Sequence, residues 1–406
     1  MEERMTTMKV YISEAQATEN KVALDDMILT TKLPTTAGSR MLDDYRSLFD
    51  AEVVTRLETA GYEIAGKVNV GEFAIDLLGE TSYYGPCEKD GLLTGAAAEL
   101  LERDEVKAVV SLDVNGAPRR TAALAGLICI KPTYGTVSRY GTIPAACSGE
   151  TICVTAGNAE TCREILSVIA GHDCKDGTSL PEDACERLKT EAERTPVKKI
   201  AVAKAMEAAA DEAVREKIEQ LKTRAAKCGI EVIEIEAEEL LLAKPAWNIL
   251  MSAEVCNNVS RYDGIKFGYR TPHYEDIDEL YTNSRTEAFG FLLKSTVLFG
   301  SDVLSTDNYW KAYDKSLRIR RVLSEYLNRI FGEVDAIVLP ACGKEAYSGE
   351  MVKENPYIAY DESLFTAPSS ITGYPALVTE GVQLMGNMFS ENSLLDLALM
   401  FEKEGK

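Results

Sequence analysis

Few of the ionisable and nucleophilic side chains in this 406-residue chain are spaced for chemistry. Only two histidines occur, His172 and His273, which argues against a histidine base and against a zinc centre of clustered imidazoles and thiols. The ten cysteines stand singly, with no CxxC pair, and Cys129 in GLICIKP and Cys153 in ETICVTA lie in apolar runs. They read as reduced, buried thiols of a cytoplasmic protein. Lys67 in AGKVNV and Lys131 in IKPTYG stand among small residues, where a neutral amine could act as a base, but both read as structural. Asp25, Asp26 and Asp113 could be gathered as metal carboxylates, but their spacing does not demand it, so no metal and no cofactor is expected. Tyr309, Trp310 and Tyr313, at helical spacing, read as packing residues.

The elements that must position these residues alternate between strand and helix. Residues 1–20 are polar and read as an amino-terminal arm or edge element. KVALDDMILT (21–30) reads as a buried strand and its exit. The next segment predicts a helix with Val53, Val54, Leu57 and Ala60 on one face, closed by Gly61, then a strand. A helix over 95–106 precedes the strand AVVSLDV (108–114). A strand and a long structured loop follow over 125–144. The helix over 158–170 has Asn158 as N-cap. A polar connector over 175–198 is the only internal boundary. Beyond it, KIAVAKA, a helix over 211–227 and IEVIEI form a βαβ-like unit, helices dominate 237–333, and VDAIVLPAC is a buried strand.

Composition sets outer bounds. Hydrophobic residues make up 46% and charged residues 27%, which is ordinary for a globular chain and excludes a disordered or fibrous one. A net charge of −21 leaves no general attraction to phosphate backbones or anionic membranes. No apolar run reaches membrane-span length, and the first residues do not read as a secretory signal.

Several stretches, in one order, carry a resemblance: TTAGSRMLDDY (35–45), AGKVNVGEFA (65–74), GLICIKPTYGTVSRYGTIP (126–144), SAEVCNNVSRYDGIKFGYR (252–270), SRTEAFG (284–290) and LFTAPSSITGYPAL (364–377). On these the chain is identified as a member of the amidase-signature family. It resembles the A subunits of the glutamyl-tRNA(Gln) and aspartyl-tRNA(Asn) amidotransferases. The resemblance implies an α/β fold with a large mixed sheet covered by helices on both faces, as a single domain over 21–406. It also implies a Ser–cis-Ser–Lys triad that hydrolyses a glutamine side-chain amide, the lysine taking the serine proton through the second serine. B and C subunits are the partners it implies.

Placed on this chain, the family's triad positions fall on Asp25 (VALDDMI), Leu93 (GLLTGAA) and Ala117 (DVNGAPR). A methyl has no oxygen with which to attack, leucine cannot relay a proton, and an anion replaces the amine. Thr94 is the nearest surviving hydroxyl. Asp25, Thr94, Asp113, Asn115, Gly116 and Arg119 remain as a degenerate pocket, with Arg119 read as a brace of the loop and a substrate contact as its second reading. Ser295 and Thr296 stand where the resemblance expects a substrate arginine. That leaves Lys294, Ser295 and Glu362 as weak substrate-binding candidates. The chain also reads as trimmed at its amino terminus and in its last hairpin. The favoured expectation is a pseudoenzyme that binds a ligand or a protein partner and does not itself bind nucleic acid. The alternatives are a component of a tRNA-dependent amidotransferase complex, or an amide hydrolase with chemistry rebuilt on Asp25, Thr94 or Cys87.

Overall fold

The apolar runs KVALD, AVVSLD, TICVTA and AIVLP become buried strands of one eleven-stranded sheet. The structure is a computed structural model that describes residues 9–186 and 195–404. Residues 1–8 of the expected arm and 187–194 of the expected connector lie outside the described residues. In chain order come β1 (Tyr11–Glu14), β2 (Lys21–Asp25), α1 (Glu52–Thr59), β3 (Glu63–Val68), a short hairpin of β4 (Glu88–Lys89) and β5 (Leu92–Leu93), α2 (Ala96–Glu102), β6 (Ala108–Asp113), α3 (Ala117–Ala125), β7 (Ile128–Lys131), β8 (Thr151–Ala156) and α4 (Ala159–Ile169). After α5 (Glu182–Glu186) follow β9 (Lys199–Ala203), α6 (Lys204–Glu207), α7 (Glu212–Lys227) and β10 (Glu231–Ile235). The helices α8 (Ala243–Val259), α9 (Ile277–Ala288), α10 (Phe291–Val303) and α11 (Asp314–Ile330) lead to β11 (Ala336–Pro340), α12 (Gly349–Glu354), α13 (Ile358–Thr372), the hairpin of β12 (Ala376–Thr379) and β13 (Val382–Gly386), and α14 (Glu391–Glu404).

The strand order is β1–β3–β2–β6–β8–β7–β12–β13–β11–β9–β10. It is parallel at β3–β2–β6 and at β11–β9–β10, and antiparallel at the other pairings. Parallel strands are covered on both faces, and β6 is buried at all six positions. The helices α1, α4, α14 and α7 pack side by side as one row. The helix α3 packs beside α2 and is tied to α13, which belongs to a bundle with α8, α10 and α11. The predicted mixed sheet flanked by helices is the observed architecture.

Local signals explain most boundaries. Val53, Val54 and Leu57 of α1 are buried, and Gly61 at φ +87° ends the turn after it. Asn158 caps α4 by accepting the Thr161 N–H at 2.8 Å. The expected helix over 95–106 is shorter in the structure, because the chain leaves α2 through Arg103 and a left-handed Asp104 at φ +54°. The helix α3 and the strand β8 are elements the sequence reading did not assign. Trp310 corrects the packing expectation: it lies in a π-helical turn, Tyr309–Tyr313, and is 70% exposed. No helix among the described residues is long and apolar enough to cross a membrane.

Candidate functional site

Three parallel strands, β3, β2 and β6, end together, and their carboxyl ends with the first turn of α3 surround a cavity. That is where open α/β sheets commonly bind ligands. The strands supply Val68, Asp25, Ser111 and Leu112, and α3 supplies Ala117 and Pro118. The cavity measures ≈ 50 Å³. Small-molecule sites usually run to about 300–1,000 Å³, and a single water needs about 10–15 Å³, so this space takes only a few heavy atoms.

Two of the three triad positions implied by the resemblance line this cavity. Ala117 presents a methyl at the start of α3. Asp25 is buried, with Oδ1 accepting the Met27 N–H at 3.0 Å and Oδ2 accepting the Leu112 N–H at 2.5 Å. Burial pushes its pKa up to about 6 against these two hydrogen bonds. Leu93 is buried in the core and lies outside the lining, which in this segment includes Gly95, Ala96 and Ala97 but neither Leu93 nor Thr94.

The other expected pocket residues also lie outside the lining and are committed elsewhere. Arg119 and Asp113 form a wholly buried, two-pronged ion pair at 2.6 and 3.2 Å. The remaining Arg119 donors go to Thr366 O, Gln383 Oε1 and Ser370 Oγ at 2.8–3.0 Å. Asn115 donates to Ile75 O and Ala359 O, and accepts from Trp247 Nε1–H. Gly116 sits at φ +92°, and a Cβ there would fall 2.4 Å from Thr366 Cγ2. Among the described residues Thr94 Oγ1 reaches only Cys87 O, at 3.5 Å. Burial pushes the Cys87 thiol up to about 12, so it is a poor nucleophile at neutral pH.

The substrate candidates do not meet at the cavity either. Lys294 Nζ donates to Thr286 O, Ser295 Oγ receives Tyr357 O–H at 3.4 Å, and Glu362 accepts the Gly343 N–H at 2.7 Å. Lys67 is buried beside Asp26 Oδ1 at 3.6 Å and also donates to Thr35 Oγ1. Burial holds its pKa below the usual lysine range. Lys131 donates to Tyr374 O at 3.1 Å, bracing the end of β7. Among the described residues no group of three or more His, Cys, Asp or Glu could hold a metal ion.

Most of the lining was absent from the sequence expectations, and one of those residues, Asp76, is charged. Asp76 is fully buried, and its Oδ2 accepts both the N–H and the Oγ1–H of Thr81 at 2.9 Å. Its Oδ1 has no hydrogen-bond partner among the described residues. The only signal in the sequence was an acidic residue inside the apolar run FAIDLLG (73–79).

The Amidase family profile matches residues 21–90 and 97–395. The unmatched stretch between them holds Leu93 and Thr94. The A subunit of the Coxiella burnetii glutamyl-tRNA(Gln) amidotransferase is 33% identical over 400 residues, covering 94% of this chain and 83% of that protein. Its counterpart of the same name from Nitrosococcus oceani is 34% identical over 399 residues, with the same coverage. The crystal structure of the Thermotoga maritima counterpart superposes with a TM-score of 0.79 at 25% identity, covering 98% of this chain and 87% of that one. The Kluyveromyces lactis urea amidolyase shares the fold, with a TM-score of 0.78 at 24% identity over 94% of this chain and 22% of that one.

Proposed function

The chain belongs to the amidase family, and from that premise we propose that it is a non-catalytic member, similar to the amidotransferase A subunits, that acts by binding. The supporting observation is the pairing of Ala117 with Asp25 in one cavity. A serine nucleophile works by giving its proton to a neighbouring base. The methyl of Ala117 has no proton to give and no oxygen to attack with. Asp25 is held by two backbone N–H groups and lacks the free amine of a lysine base. Rebuilt chemistry is disfavoured, because Thr94 lies off the lining and the Cys87 thiol is held protonated.

The test is ammonia release from glutamine and asparagine by the purified protein. The expected rate equals that of a heat-inactivated sample. Release that scales with protein concentration would overturn the reading.

A second reading is supported by one observation, the identity to A subunits over 94% of this chain. In that reading the chain takes the corresponding place in a tRNA-dependent amidotransferase complex, beside B and C subunits. Co-purification with those subunits from the host would support it, and their absence from a tagged preparation would count against it.

A further inference from the structure

We propose that the cavity under α3 binds a small primary alkylammonium ion, with Asp76 and Asp25 as its acceptors. The inference rests on reading this pocket as a binding site, and it names the class of ligand. It starts from the unpartnered Asp76 Oδ1. A buried carboxylate oxygen without a donor costs free energy, and native structures rarely leave one so. The Asp76 carboxylate packs directly against Gly71, where an added Cβ would fall 1.8 Å from Oδ2 and 2.2 Å from Oδ1, so only glycine leaves room for it at this place. Among the lining residues there is no lysine, arginine or histidine to supply the missing donor.

Three further features specify what would supply it. Asp25 is a second carboxylate in the lining, and each of its oxygens keeps a lone pair beyond its one backbone hydrogen bond. The rest of the wall is largely apolar, with Val68, Val70, Ala74, Leu78 and Ala96. The volume of ≈ 50 Å³ limits the ligand to a few heavy atoms. A cationic head that donates N–H bonds, on a short apolar tail, satisfies all three. An alkylammonium is protonated at neutral pH, as the lysine head group is with its pKa of about 10.4. The first turn of α3 also opens here and would favour an anion, but Pro118 lacks an N–H and the two carboxylates oppose negative charge. The nearby Lys67 ammonium is engaged by Asp26.

The test is thermal unfolding and calorimetric titration of the full-length protein with methylammonium chloride and ethylammonium chloride. Potassium chloride and tetramethylammonium chloride at equal ionic strength serve as controls. The expected result is a saturable rise in Tm with the two primary amines and none with the controls. Asp76→Asn should weaken the apparent affinity by about tenfold or more, the effect of losing one charge-assisted hydrogen bond. Ala117→Leu, which fills the cavity from α3, should abolish the rise and decides the matter if Asp76→Asn fails to fold. An equal rise with potassium chloride, no saturable rise, or unchanged affinity in Ala117→Leu would overturn the proposal. Ammonia release separates the two readings. Amine binding with turnover sinks only the non-catalytic assignment, and neither binding nor turnover sinks only the amine site.

Discussion

Asp25 and Asp26 are adjacent in the chain and answer to different partners. Asp25 ties the end of β2 to β6 through the Leu112 N–H and meets the cavity. Asp26 accepts the Thr36 N–H and faces Lys67. The flanking motifs singled out Asp25 and Ala117 in the sequence, and both line one cavity in the fold. Asp76 was not legible, because an orphaned oxygen is a property of three-dimensional neighbours. Buried carboxylates at this end of the sheet carry a pH signature. Burial pushes Asp25 up to about 6, and it pushes Glu72, which accepts from Ser39 Oγ–H and the Gly290 N–H, up to about 7. Unfolded, both titrate near 4. Between about pH 4 and 7 the folded state therefore holds protons that the unfolded chain has released, and stability from these groups falls as pH rises through that window. Glu72→Gln removes its share. The Tm difference between pH 5 and pH 7.5 should shift in the variant, with the variant losing less than the wild type as pH rises. An unchanged difference would show that Glu72 titrates normally.

At the scale of elements, α3 is held by its first turns. Gly116 enters it in the left-handed region against Thr366, and Arg119 joins it to β6, α13 and β13 through the guanidinium donors. Gly116→Ala meets both a positive φ and a 2.4 Å contact. It should cost about 2 kcal/mol or more, read as a lower urea midpoint with unchanged m-value. A midpoint within error of wild type would mean that α13 can give way. The cap of α4 was readable from Asn158, where a side-chain acceptor precedes a periodic run. The same reading missed α3, although Gly116, Pro118 and Gly126 punctuate it as a helix start and stop. β8 was missed because a short apolar run carries no period to separate strand from buried helix.

At the scale of the molecule, one sheet runs through both halves of the chain, and the β12–β13 hairpin sits between β7 and β11. The fold class was legible because many motifs recur in one order. The strand order was not, since β7 and β12 pair across more than two hundred residues with no local trace. The continuity predicts one cooperative unfolding transition. Trp247 is fully buried and bonded to Asn115 beside the cavity wall, so it reports on the core. Its fluorescence change and the far-UV circular dichroism should share a midpoint in urea. Two separated midpoints would show that the halves unfold independently despite the shared sheet.

The place of that hairpin also sets a timetable for biosynthesis. β7 ends at Lys131, and the strand that covers its open edge starts at Ala376. At about 5–20 residues per second, a ribosome needs on the order of ten to fifty seconds to travel between them. Until then the nascent chain presents a row of unpaired backbone donors and acceptors to every other chain in its surroundings. A product of premature termination between residues 131 and 376 keeps that edge for good, so such fragments should accumulate as insoluble protein or in complex with chaperones.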